Sequence, residues 1–204
     1  MIKAFLFDLD GVLIDSEGLY TRFWADTERE FPTGIPDFAK KIKGTNLKSI
    51  MNYFSEEDRP KILAKIYDFD SHLTYAPFPG AEEVLKQLKA KGLKTALVTS
   101  SNSEKMEQFH KVLPQFRWYF DVIIDGSMVT KGKPDPEGYL LAAQALNEDP
   151  KNCIVVEDSL QGVMAGRASG AHVWGMSTTL PADVIAPHAD RLFSNIAEIL
   201  PLIG

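Results

Sequence analysis

Lys3-Ala4-Phe5-Leu6-Phe7-Asp8-Leu9-Asp10-Gly11 is a short apolar run that stops on two acids. The run has no polar alternation up to Phe7, so it reads as a strand buried on both faces. Similar runs recur at residues 93–98, 122–124, 153–156 and 172–176, and helical patterns separate most of them. That alternation predicts an α/β fold with a doubly wound, mostly parallel sheet and helices on both sides.

Outward from the first strand, the stretch from about residue 17 to residue 79 has a different character. It holds no strand-like run. Tyr20, Phe23, Trp24 and Thr27 fall on one helical face, and Leu47, Ile50, Met51 and Phe54 on another. Pro32, Gly34 and Pro36 mark a break between helices. The stretch reads as a small all-helical insertion, and Pro77-Phe78-Pro79-Gly80 returns the chain to the sheet. Beyond it, residues 81–91 place Glu82 and Glu83 in the first turn of a helix and Lys89 and Lys91 in the last, which suits the helix dipole. Ser101 and Glu104 have capping-box spacing, with Met106, Phe109, His110 and Leu113 on one face. Asp135-Pro136 supplies a cap and a first-turn proline. Gly162, Gly166 and Gly170 recur every fourth residue; they predict a smooth helix face for close packing, with Gly170 also able to end the helix.

The totals narrow the function classes. A length of 204 residues suits one α/β domain with a modest insertion. The net charge of −6, with no basic stripe, argues against nucleic acid as a partner. The single cysteine, Cys153, excludes an internal disulfide and sits in an apolar run as a buried thiol. A cytoplasmic location fits. The first apolar stretch is short and ends in acids, unlike a signal peptide, and no apolar run approaches the ~20 residues that cross a bilayer, so no membrane partner is expected.

Chemistry-bearing residues gather where predicted strands end: Asp8 with Asp10, then Thr99, then Glu157 with Asp158. In open α/β sheets ligands bind at that edge. Lys133 follows another strand after a short connection. Carboxylates in such number repel one another and a phosphate dianion, and a hard divalent ion such as Mg²⁺ plus the lysine removes the objection. A carboxylate can also attack phosphorus. The four histidines, His72, His110, His172 and His188, are scattered without ligand spacing, and no zinc motif or G-x-x-x-x-G-K-[ST] loop is present. Lys131 competes with Lys133 and reads as a solvated charge.

Phe7-Asp8-Leu9-Asp10-Gly11-Val12-Leu13-Ile14-Asp15-Ser16 resembles the first motif of the haloacid dehalogenase superfamily. Leu97-Val98-Thr99-Ser100-Ser101-Asn102 resembles its second, Gly132-Lys133-Pro134-Asp135-Pro136 its third, and Val155-Val156-Glu157-Asp158-Ser159 its fourth. The likeness spans nearly the whole chain and is nearest to the β-phosphoglucomutase-like and phosphoglycolate phosphatase-like branch. It implies a Rossmann-like core of residues 1–16 and 80–204 and a helical cap of residues 17–79. It also implies that Asp8 is the nucleophile and, with Asp158, a Mg²⁺ ligand. Asp10 would protonate the leaving oxygen, activate water and bind the metal through its carbonyl. Thr99 and the Ser100 N–H would hold phosphoryl oxygens, and Lys133 would neutralise them and orient Asp8. Glu157 would meet the metal directly or act behind it.

Asp10 separates this chain from the dehalogenases of the superfamily, which lack that second aspartate. The mutases of this branch carry a histidine where this chain has Tyr20, and an arginine after the cap-loop Lys-Gly where Lys43-Gly44-Thr45-Asn46 leads to Leu47. Both departures favour a phosphatase over a mutase, and the complete motif set disfavours a non-catalytic phosphate binder. Tyr20, Lys43 and Thr45 are candidate substrate contacts; Tyr20 and Trp24 read first as the cap's own apolar stripe, and Thr45 or Asn46 can serve as a helix cap. The expected partner is a small phosphorylated metabolite, and the expected state a monomer.

Overall fold

The computed structural model describes residues 1–203. Its first strand, β1 (Ala4–Phe7), is buried throughout, as an unbroken apolar run requires. Side chains still alternate along it, but between two cores. Phe5 and Phe7 join one apolar cluster; Ala4 and Leu6 join another on the opposite face of the sheet.

The strand-free stretch folds as α1 (Glu17–Glu30), α2 (Phe38–Lys41), α3 (Leu47–Met51) and α4 (Arg59–Ser71). These helices build an apolar cluster of their own from Trp24, Phe38, Ile50, Met51, Phe54 and Ile62. Both sequence stripes supply it. Asn46 caps α3, its Oδ1 accepting the Ser49 N–H at 2.8 Å, so of the two capping readings Asn46 is the one realised.

A regular alternation follows: α5 (Ala81–Ala90), β2 (Lys94–Val98), α6 (Ser103–Val112), β3 (Val122–Ile124), α7 (Glu137–Ala145), β4 (Cys153–Glu157), α8 (Leu160–Ser169), β5 (His172–Met176), α9 (Ala182–Ile185), β6 (Arg191–Phe193) and α10 (Leu200–Ile203). All six strands lie in one sheet, ordered β3-β2-β1-β4-β5-β6, and every pairing is parallel. Leu85 and Leu88 of α5 and Phe109 of α6 cover the Phe5 and Phe7 face. Tyr139 and Ala142 of α7 and Val163 of α8 cover the other. Each large apolar side chain so buried contributes about 1.5–3 kcal/mol. The strand order turns back at β1, and the crevice beyond the carboxyl ends of β1 and β4 is the place where such sheets bind ligands.

Three local readings change. The edge strand β6 has no counterpart in the sequence patterns, because only three residues form it and Arg191 is exposed. The helix α6 starts one residue later than the capping box predicts: Asn102 Oδ1 accepts the Lys105 N–H at 2.9 Å, and Ser101 is drawn into the functional site instead. Pro136 stands at the cap position of α7, while Asp135 Oδ1 accepts the Glu137 N–H at 3.0 Å. The glycine spacing in α8 holds in both of its senses. A Cβ on Gly162 would lie 1.8 Å from Glu157 Oε1, one on Gly166 would press on Val155, and Gly170 ends the helix. Cys153 is buried. Among the described residues no helix is long and apolar enough to cross a membrane.

Candidate active site

Parallel strands end at one edge, so the topology alone brings Asp8 (after β1), Thr99 (after β2) and Asp158 (after β4) together. Lys133 reaches them from the β3–α7 connection. Its Nζ lies 2.6 Å from Asp8 Oδ1, 2.5 Å from Glu157 Oε1 and 3.2 Å from the Val98 carbonyl oxygen. All three ammonium donors are thus used, and the lysine is fixed in place. Burial alone would lower its pKa, but the charges of Asp8 and Glu157 hold it well above the usual lysine value. Lys131 instead lies exposed, 3.8 Å from Asp135.

Glu157 is fully buried and accepts five hydrogen bonds. Oε1 takes Lys133 and the Tyr139 hydroxyl at 2.9 Å; Oε2 takes the backbone N–H of Asp158 and Ser159 and the Ser159 hydroxyl at 2.9, 3.1 and 3.1 Å. The absence of a side chain at Gly162 leaves the room it occupies. Asp158 is the opposite case: its Oδ2 is buried with no hydrogen-bond partner. Burial, then Glu157, Glu17 and Asp8, push its pKa well above the usual carboxylate range. Burial likewise pushes Asp8 up to about 8, with Lys133 opposing.

Three buried carboxylates therefore face one ammonium. Asp8, Glu157 and Asp158 offer oxygens within 4.8 Å of one another. An all-oxygen donor set with excess negative charge and one idle acceptor fits a hard divalent cation, which would satisfy Asp158 and restore Asp8 to its ionised form.

Asp10 sits in a different environment. Its side chain turns to Lys105, whose Nζ is 2.8 and 2.6 Å from the two carboxylate oxygens, and it also accepts the Ser101 hydroxyl at 3.1 Å and that of Ser16. Burial would raise its pKa, yet Lys105 and these hydrogen bonds hold it below the usual value. Lys105 was not expected at the site. It is 5 % exposed, and its ammonium lies 4.2 Å from the centre of the Tyr20 ring. The signal available was its position beside Met106 and four residues before Phe109, on a face that had to be buried.

Thr99 is buried, with its Oγ1 accepting the Ser101 N–H at 3.1 Å. Ser100 donates its hydroxyl to the Gly44 carbonyl oxygen at 2.9 Å, tying the α2–α3 loop to the sheet edge. Gly44 has a φ of 75° and a Cβ there would lie 2.5 Å from Ser159 Oγ, so only glycine permits this approach. Lys43 lines the cleft, paired with Glu17 at 2.8 Å. Thr45 lines it too. Tyr20 belongs to the apolar packing of this helical stretch and also lines the cleft: its ring lies 5.3 Å from that of Phe69, and its hydroxyl donates to Asp70 at 2.6 Å.

The profile of the haloacid dehalogenase-like hydrolases matches residues 2–170. The chain is 34% identical to hexitol phosphatase A of Escherichia coli over 89% of its own length and 85% of that protein. It is 33% identical to the validoxylamine A 7'-phosphate phosphatase of Streptomyces hygroscopicus, over 100% and 99% of the two chains. The crystal structure of β-phosphoglucomutase from Clostridium difficile superposes with a TM-score of 0.77 at 25% identity, covering 98% of this chain and 93% of that one.

Proposed function

The chain belongs to the haloacid dehalogenase-like hydrolase family, and on that premise we propose that it hydrolyses a small phosphate monoester, a sugar phosphate or similar metabolite, with Mg²⁺ and through an aspartyl-phosphate on Asp8. The observation that carries the reading is the Lys133 bridge between Asp8 and Glu157, beside the unpartnered Oδ2 of Asp158. The named phosphatases above support the reaction class.

In the proposed cycle an Asp8 carboxylate oxygen bonds to phosphorus while the bond from phosphorus to the leaving oxygen breaks, and that oxygen takes a proton from Asp10. Water then attacks the phosphorus, Asp10 receives its proton, and the acyl phosphate bond breaks to free Asp8 and phosphate. Thr99 and the Ser100 N–H hold the phosphoryl oxygens, while Lys133, its donors taken by Asp8, Glu157 and the Val98 carbonyl, orients Asp8 and neutralises the phosphoryl charge. Asp8, Asp158 and the Asp10 carbonyl would hold the cation, which would supply charge neutralisation at the transferring group. Glu157 acts from behind, since its five hydrogen bonds orient Lys133 and the start of α8 rather than leave a free oxygen. Residues 17–79 serve as a cap over residues 1–16 and 80–204, shielding the transfer from bulk water. The reading takes the protein as a cytoplasmic monomer that meets small phosphorylated metabolites.

Hydrolysis of p-nitrophenyl phosphate is expected to require Mg²⁺ and to be lost in Asp8→Asn; absence of turnover across a broad phosphate panel overturns the reading. The likeness to a β-phosphoglucomutase keeps a mutase as the second reading. Bisphosphate-primed conversion of β-glucose 1-phosphate to glucose 6-phosphate would establish it.

A further inference from the structure

The cap-side wall of the cleft carries a carboxylate that no step above uses. Asp70, next to last in α4, is 5 % exposed and lines the cleft. Its Oδ1 accepts the Tyr20 hydroxyl at 2.6 Å, and Oδ2 makes no hydrogen bond to any described residue. Oδ2 is not sealed off but opens to the cleft, so on this otherwise buried side chain it is the one oxygen placed to accept a hydrogen bond from a ligand that displaces cleft water. Burial raises the pKa of Asp70, against the opposing hydrogen bond from Tyr20.

The surrounding charges restrict what that ligand is. Each of the two lysines lining the cleft already holds a carboxylate: Lys43 pairs with Glu17 and Lys105 with Asp10. Lys133 is committed to the transferring phosphoryl end. The rest of the cap-side wall is uncharged, with Trp24, Ile50 and Ile66 apolar and Thr21 and Thr45 offering hydroxyls. A second phosphate or carboxylate on the substrate would meet Asp70 and find no uncommitted cation, which costs affinity by like-charge repulsion. A hydroxyl group, by contrast, donates to Asp70 Oδ2 directly.

We propose that Asp70 is a specificity-determining residue that accepts a hydrogen bond from a hydroxyl of an uncharged polyol or sugar carried as a monophosphate, and that the cap-side wall turns away esters bearing a second anionic group. This rests on the phosphatase reading of the same site.

The test compares kcat/KM for a hexitol or hexose monophosphate, the corresponding bisphosphate, phosphoglycolate and p-nitrophenyl phosphate. The wild-type enzyme is expected to favour the monophosphate over the bisphosphate and over phosphoglycolate by about tenfold or more, the scale of one charged hydrogen bond or repulsion. Asp70→Asn keeps an acceptor for Tyr20 and removes the charge. It should lower the ratio of polyol phosphate to aryl phosphate turnover about tenfold and narrow the discrimination against the bisphosphate. An equal loss on every substrate, or wild-type preference for a doubly anionic ester, overturns the inference. The wild-type comparison needs no variant, so a misfolded Asp70→Asn does not block the test. If Mg²⁺-dependent, Asp8-dependent aryl phosphate hydrolysis is present without this selectivity, only the Asp70 inference fails. If that hydrolysis is absent, the phosphatase reading fails and takes the inference with it.

Discussion

Replacing Lys105 with methionine removes a charge while keeping most of the packing of the side chain. The Lys105–Asp10 pair lies at 2.6 Å with side chains 7% and 16% exposed, so it belongs with buried ion pairs, not with surface ones worth at most about 1 kcal/mol. Removing one partner of a buried pair costs about 3–5 kcal/mol, because the remaining charge is stranded. The stranded group sets the pH dependence. In the wild type the folded-state pKa of Asp10 lies below the unfolded value, so its stabilisation is present above the unfolded pKa and lost as pH falls through the folded one. Without Lys105 burial dominates and the folded pKa rises above the unfolded value. The carboxylate then destabilises the variant at neutral pH and ceases to do so once protonated. Glu17 and Asp70 also feel the Lys105 charge as a lowering influence, and its removal shifts them the same way. Urea unfolding of metal-free Lys105→Met should therefore show a deficit of about 3 kcal/mol near neutral pH. The deficit should shrink steadily toward about pH 4. A deficit below about 1 kcal/mol, or one that stays flat with pH, would refute the assignment of a buried, charge-dependent pair.

Asp10→Asn should slow breakdown of the phosphoenzyme more than it weakens Mg²⁺ binding, since the proposed metal contact is the main-chain carbonyl; a loss of affinity equal to that of Asp158→Asn, by isothermal calorimetry, contradicts it. Mg²⁺ binding should release protons in weakly buffered solution and strengthen as pH rises toward about 8, because Asp8 and Asp158 are raised in the metal-free fold and must ionise to bind. Affinity independent of pH in that range argues against those two as ligands. Gly162→Ala puts a methyl group 1.8 Å from Glu157 Oε1, and should cost about 1–3 kcal/mol in thermal or urea unfolding. It should also lower kcat through displaced Lys133, whereas normal stability and rate would show that the α8 start has slack.

The parts of the site legible in sequence are those whose position follows from a strand end. Asp8, Thr99 and the Glu157-Asp158 pair each come immediately after an apolar run, and a parallel sheet gathers such ends at one edge whatever the rest of the chain does. Lys133 was legible through its motif rather than its periodicity. Lys105 was not read, because a lysine in an amphipathic helix is solvated by default, and only the crossing of α6 over the loop after β1 converts it into a buried partner. Asp70 was missed for a similar reason: nothing local tells which face of α4 lines the cleft. β6 escaped because three edge residues with one exposed arginine carry too little pattern. The cap of α6 went to Asn102 because two capable residues stood side by side and the site claimed Ser101.

Asp8 and Asp10, two residues apart on one loop, are driven in opposite directions, and the proposed roles call for the reverse. A nucleophile must be ionised, yet burial raises Asp8; a general acid must carry a proton, yet Lys105 holds Asp10 ionised. The two conditions resolve separately. Asp8 shares the single Lys133 ammonium with Glu157, and Asp158 Oδ2 has no hydrogen-bond partner; a divalent ion held by the two carboxylates would lower both. Asp10 as found is suited to the second half of the cycle, in which it takes a proton from water. For the first half, the proposed role requires the Lys105 and serine contacts that hold it ionised to loosen, which would leave burial to favour the protonated acid. Lys105 is thus the group on which the protonation state of Asp10 turns, and Asp70 feels the same charge.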